Sequence, residues 1–355
     1  MDQVVILAIS FVLILAGAEL FTNGIEWFGH RLKLAEGAVG SVLAAVGTAL
    51  PETMIPIVAI LGSGATAASN EIGIGAILGA PFMLSTLAMF VTGVAVLSVA
   101  RTRVMGDTML LEPAVIFHDI RWFFVGYAIA IGAAFFPPDL AWPRWVVAGI
   151  LVVLYALYVR EHFGAESAGG SGDELRPLRL RRLDAPSRPA DVPPRLRIVS
   201  VQVVAALALI VGGALAFVGA VEHIAEGAGV SATILALIIA PIATELPEKL
   251  NSVIWVRQGK DTLAMGNITG AMVFQSMIPT VVALVFAPSA WSASSGEPVV
   301  FASVAIAFAS SAAIFLPMRL RGILRGRWLL VGGVFYAAFL AFVFLGVGTG
   351  SSAPG

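Results

Sequence analysis

Cysteine is absent from all 355 residues, which removes disulfides, thiolate metal sites and cysteine nucleophiles together. Histidine is nearly absent: there are four, none at a ligand spacing, so a zinc site is excluded. Charge is scarce as well, at 12% of residues against roughly 25% in soluble domains. The net charge of −1 says little, because in a membrane what matters is where the charges sit. Met1-Asp2-Gln3 lacks the basic start of a cleavable signal peptide, so the first apolar run is expected to be a retained helix. In place of these residues stands 59% hydrophobic sequence, more than a single soluble core can hide. Several apolar runs exceed the ~18 residues needed to cross a bilayer. The chain reads as an all-α polytopic membrane protein, not an enzyme.

Hydropathy predicts ten spans: 3–29, 37–61, 68–98, 119–136, 142–163, 198–223, 230–256, 261–287, 297–316 and 327–347. With the N-terminus outside, 19 of the 21 Lys and Arg residues fall in inside loops or in the innermost turn of a span, as the positive-inside rule requires. Arg144 falls outside, and Lys249 lies within a span. Residues 164–197, rich in Gly, Ser, Pro and Arg, read as a solvated cytoplasmic linker or an anionic-lipid contact. The linker separates 1–163 from 198–350, each with five spans. An odd number of spans per half forces opposite orientations, the condition for an inverted repeat.

The halves share an unusual motif. Gly47-Thr48-Ala49-Leu50-Pro51-Glu52 in the second span matches Ala243-Thr244-Glu245-Leu246-Pro247-Glu248 in the seventh, 196 residues on. The same offset superposes Gly17-Ala18 on Gly213-Ala214. Each motif precedes a Gly-rich run, Gly73 to Pro81 in the third span and Gly266 to Ala271 in the eighth. Proline inside a span breaks the hydrogen-bond ladder. Carbonyls freed at membrane depth persist only beside protein or a wet cavity. With Thr hydroxyls and Glu carboxylates they form a hard-oxygen set suited to Ca²⁺ or Na⁺. A carboxylate near the bilayer centre costs at least ~2.5–3.5 kcal/mol on insertion scales, so Glu52 and Glu248 mark a functional site.

At these motifs the chain resembles the Ca²⁺/cation antiporter superfamily, the sodium/calcium exchanger family. Its members carry paired Gly-Thr-Ser-x-Pro-Glu and Gly-Asn-rich helices in two inverted five-helix repeats. The resemblance implies alternating access, with Ca²⁺ exchanged for Na⁺ or H⁺. Matched residue by residue, it implies cation binding by Thr48, Glu52, Thr244, Glu248, Asn267 and Gln275. Glu245 replaces a Ser of the family pattern and adds a carboxylate, so Glu52, Glu245 and Glu248 become the candidate metal ligands. Ala76, Ala80, Pro81 and Leu84 stand where the third span would carry ligands, which leaves room for a member that binds ions without coupled exchange.

Two readings of Lys249 stand side by side: an internal counter-ion for Glu245, one turn earlier, or a side chain snorkelling to the interface. Glu19 in the first span is a candidate for lining the ion path. His118 and Asp119 read as a solvated turn, and Trp122, Trp142, Trp145, Trp291 and Trp328 as interfacial anchors. A membrane hydrolase would need a nucleophile or His–Glu ligand helix that the acids lack. The expected partners are inorganic cations (Ca²⁺, Na⁺ or H⁺) and lipid, with no cofactor and no nucleic acid. A plasma-membrane protein is expected, as monomer or homo-oligomer.

Overall fold

The computed structural model describes residues 2–31, 50–62, 66–137, 139–166, 177–184, 192–293 and 298–349. Its helices are α1 (Gln3–Arg31), α2 (Leu50–Leu61), α3 (Ala67–Met83), α4 (Met89–Val99), α5 (Pro113–Gly132) and α6 (Trp142–Glu166) in the first half. The second half holds α7 (Leu196–Ala228), α8 (Ala232–Thr244), α9 (Leu246–Arg257), α10 (Asp261–Phe286), α11 (Pro298–Arg321) and α12 (Val331–Thr349). Among the described residues eight helical stretches are long and apolar enough to span a bilayer. Two shorter apolar helices, Glu52–Leu61 and Ala232–Ile242, fall on the predicted second and seventh spans. All ten predicted spans therefore meet helix, although 37–49 of the second lie outside the described residues.

Local chemistry sets the boundaries. Thr66 caps α3: its hydroxyl accepts from Ser69 N at 3.0 Å, while its own N–H donates to Ser69 Oγ at 2.7 Å. Pro113 opens α5 where no helical N–H partner is needed. Gly229 ends α7 in the left-handed region at φ 63°. Between α3 and α4 the helix widens into a π turn, Leu84–Ala88, just after Pro81. Ser85 and Thr86 both donate to the Phe82 carbonyl there, at 2.9 and 2.6 Å. The loop before α5 and the loop after α11 meet in a two-stranded antiparallel pair, β1 (Thr108–Met109) against β2 (Leu324–Arg325). Beside it Arg103 clasps Asp261, tying the loop before α5 to the start of α10.

The two halves interlock through α1 and α7. A Cβ on Gly17 would lie 2.7 Å from Ile210 Cγ1 and 3.0 Å from the Ala206 carbonyl oxygen. One on Gly213 would lie 2.8 Å from Ile14 Cγ1 and 3.0 Å from the Ser10 carbonyl oxygen. Adding 196 carries Gly17, Ile14 and Ser10 onto Gly213, Ile210 and Ala206, so both contacts are one contact seen twice. Such reciprocity is what a two-fold relation between inverted repeats produces. Small residues let these backbones approach where no hydrophobic force joins helices in lipid.

Several expectations are corrected. Part of the linker is docked rather than solvated. Arg179 N donates to Asn23 Oδ1 at 3.0 Å and Leu180 N to Gln202 Oε1 at 2.8 Å, while Leu178 is buried between Trp27 and Val199. Asn23 and Gln202 are polar groups inside the α1–α7 seam that bond to each other, and the linker backbone adds further partners to both. The fourth helix starts six residues earlier than predicted, at Pro113 rather than 119. Asp119 consequently sits well inside it, fully buried, instead of in a solvated turn. Trp122 and Trp291 are buried, their indole N–H groups donating to Glu161 and to the Ala130 carbonyl, whereas Trp142 and Trp145 are exposed as anchors should be. Arg144 is fully buried and donates to four carbonyls, of Phe136, Pro137, Leu140 and Trp291, at 2.7 to 3.1 Å.

Candidate cation-binding site

The seventh span is two helices, and its sequence explains the break. Pro241 lies inside α8, and the motif's Pro247 lies in the first turn of α9, where a missing N–H costs nothing. Between them Glu245 leaves helical geometry at φ −86° and ψ 7°. The Pro241 carbonyl accepts from Glu245 N at 3.2 Å, and the Thr244 hydroxyl folds back on the Ala240 carbonyl at 3.0 Å. α2 brings Glu52 in its first turn, 6% exposed.

A small cavity lies between the halves, lined by Glu52 and Ile55 of α2, Ala76 and Ala80 of α3, and Ala240, Pro241 and Thr244 of α8. It leaves about 10 Å³ for the centre of a water-sized sphere, room for one water or one bare ion. One carboxylate from the first motif and one hydroxyl from the second thus share a single chamber. The α3 wall carries only methyl groups. α3 can approach α8 closely because its Gly75 and Gly79 face the Thr233 and Leu237 carbonyls, where any Cβ would collide with backbone. The first Gly-rich run therefore serves contact between the halves.

The remaining predicted residues divide. Gln275 of α10 is fully buried, and neither atom of its amide has a hydrogen-bond partner among the described residues. Asn267 turns toward α9, its Nδ2 donating to Ser252 Oγ at 3.5 Å, and does not line the cavity. Glu19 is exposed and pairs with Arg179 of the linker, away from the cavity. Thr48 and the side chain of Glu248 lie outside the described residues. Among the described residues no group of three or more His, Asp or Glu gathers to hold a metal.

Glu245 is fully buried, but Lys249 claims it: Nζ lies 2.9 Å from Oε2 and 3.2 Å from the Pro241 carbonyl oxygen. Of the two readings of Lys249, the structure shows the internal counter-ion. The snorkelling alternative fails because a helical side chain leans toward its N-terminus, here into the break.

Sequence reasoning missed a second buried cluster. Asp119 of α5 accepts from Thr269 Oγ1 at 2.6 Å and from Tyr158 OH at 3.0 Å, tying α5, α6 and the second Gly-rich run together. The available signal was the apolar run from Pro113 to Phe117, which carries the helix past Asp119.

Comparison with known proteins places this geometry. The family model described as sodium/calcium exchanger protein matches residues 3–160 and 198–347, the two stretches that flank the linker. A protein of Alkalimonas amylolytica named as the antiporter CaxA is 24% identical over 345 residues, covering 95% of this chain and 96% of its own. Among solved structures, the H⁺/Ca²⁺ exchanger CAX superposes with a TM-score of 0.69 at 16% identity, over 96% of this chain and 82% of the other. The sodium-calcium exchanger NCX_Mj, soaked with 2.5 mM Na⁺ and 1 mM Sr²⁺, superposes at 0.55 with 17% identity, over 96% and 98%. These likenesses establish the fold of a multi-pass membrane protein built like the exchangers. The chain belongs to the sodium/calcium exchanger family.

Proposed function

We propose that the protein is a secondary active cation antiporter that exchanges Ca²⁺ for Na⁺ or H⁺ by alternating access. The observation that carries this reading is the chamber shared by Glu52 and Thr244, equivalent motifs contributed by opposite halves. Family membership supports it, as do the antiporter and exchanger names of the relatives. Glu52 and Thr244 act as cation ligands in this reading, with Thr48, Glu248 and Gln275 completing the shell and Asn267 supporting it from α10. Ca²⁺ takes 6–8 oxygens, whereas a proton needs one carboxylate. The methyl wall of Ala76 and Ala80 therefore favours H⁺ over several Na⁺ as the counter-ion. The basic loops support a plasma-membrane protein with the N-terminus outside and the linker in the cytoplasm.

The test is Ca²⁺ uptake into inverted vesicles or proteoliposomes under an imposed Na⁺ or H⁺ gradient. Uptake driven by one gradient and abolished by Glu52→Gln is expected. Uptake indifferent to both gradients and to Glu52→Gln overturns the reading. The same methyl wall also favours a second reading, ion binding without turnover. Calorimetric Ca²⁺ binding in a protein that never exchanges would establish that alternative.

A further inference from the structure

We propose that the Lys249 ammonium is a tethered cation. It permanently occupies a monovalent-cation position of the second motif and sets the number of ions the chamber can carry. The inference rests on the antiporter reading for its consequence in transport, but not for the binding it predicts.

Three observations converge on it. First, the ammonium is held as a bound cation would be, by the Glu245 carboxylate at 2.9 Å and the Pro241 carbonyl oxygen at 3.2 Å. Both side chains of the pair are buried, at 7% and 0% exposure. Second, it sits against the chamber: Pro241 lines that space, and so does Thr244, the neighbour of Glu245. Lys249 reaches back eight residues along the chain to Pro241, so its charge lies in the helix break rather than beside its own backbone. Third, the pair is present or absent as a unit. Subtracting 196 places Ala49 and Thr53 in the first motif where the second has Glu245 and Lys249. The first motif carries −1 from Glu52; the second carries −1 from Glu245, Glu248 and Lys249 together. The added acid is cancelled by the added base.

Glu245 is therefore no spare ligand for a metal, and the two motifs together carry −2, one charge each. A charge of −2 is balanced by one divalent cation or by two monovalent ones, and exchange between those states moves no net charge. A Lys ammonium is a compact point charge with three donors, which fits it for the place of a monovalent ion.

The experiment compares wild type, Lys249→Met and the double variant Glu245→Gln/Lys249→Met, purified in detergent. Thermal unfolding is followed across Na⁺ concentrations, with N-methyl-D-glucamine keeping ionic strength constant. Removing a unit charge about 4 Å from a cation position in a partly buried site is expected to tighten Na⁺ binding about a thousandfold. Lys249→Met should gain stabilisation by Na⁺ at that lower concentration, and the double variant should not. Wild type and Lys249→Met with the same Na⁺ dependence would overturn the inference. So would a Lys249→Met protein that unfolds regardless of Na⁺ while the double variant folds. In proteoliposomes, wild-type exchange should move no charge under a potassium–valinomycin clamp, and Lys249→Met exchange should move charge. Net charge movement by wild type would also overturn it. If wild type exchanges nothing, the antiporter reading fails, while Na⁺ binding gained by Lys249→Met would still establish the tethered cation.

Discussion

Replacing either Gly17 or Gly213 by alanine should weaken the protein by the same amount. A new Cβ on Gly17 meets Ile210 Cγ1 at 2.7 Å, which a rotamer adjustment can relieve, but also the Ala206 carbonyl at 3.0 Å and Ile210 N at 3.1 Å, which are backbone. On Gly213 the matching distances are 2.8, 3.0 and 3.1 Å. In both cases α1 and α7 must separate by a few tenths of an ångström. Overpacking of this kind costs about 1–3 kcal/mol, against a gain of up to about 1 kcal/mol in helix propensity. Gly219→Ala on α7 measures that gain alone, because nothing lies within 4 Å of its Cβ. One separation relieves both clashes, so the double variant should cost at least about 0.5 kcal/mol less than the sum. The assay is reversible unfolding in mixed micelles with all four variants side by side. Single-site costs differing by more than about 1 kcal/mol, or a fully additive double variant, would refute the reciprocal packing.

Three further outcomes are expected. Ala80→Ser puts a hydroxyl on the methyl wall of the chamber and should raise apparent Ca²⁺ affinity about three- to tenfold by calorimetry, one net hydrogen-bond-sized gain. Gln202→Leu should cost about 2–4 kcal/mol in the same unfolding assay, since it strands Leu180 N and removes the hydrogen bonds to Asn23 and to the Leu20 carbonyl, whereas Glu19→Gln should cost at most about 1 kcal/mol because its pair with Arg179 is solvent-exposed. Thr269→Val keeps shape but removes the 2.6 Å hydrogen bond to Asp119; it should lower the unfolding midpoint, by less when Asp119→Asn is already present, since the lost bond is then one to a neutral acceptor.

Apolar run length and the Lys and Arg rhythm made the helix count readable, because a bilayer fixes span length and loops fix charge placement. The inverted repeat was readable because Pro-Glu pairs rarely survive mid-membrane without use. What escaped notice depended on contacts between segments far apart in sequence. Asp119 looks interfacial until Thr269 and Tyr158 are beside it. Glu19 looks deep until Arg179 of the linker reaches it. Glu245 looks like a ligand until the lean of Lys249 toward the helix break is seen. Arg144 finds four carbonyls that no periodicity announces.

The α1–α7 pair reads the same from either end, since its two glycine contacts exchange under the repeat's own rotation. Taken alone, such a pair stores no preference for opening toward one face, because every displacement has a counterpart of equal energy on the other. The docked stretch of linker, anchored on Asn23, Gln202 and Glu19, has no repeat-related counterpart among the described residues. In the antiporter reading, such a one-sided contact tilts the pair toward one face, and the hold of residues 177–184 on α1 and α7 is one source of that bias.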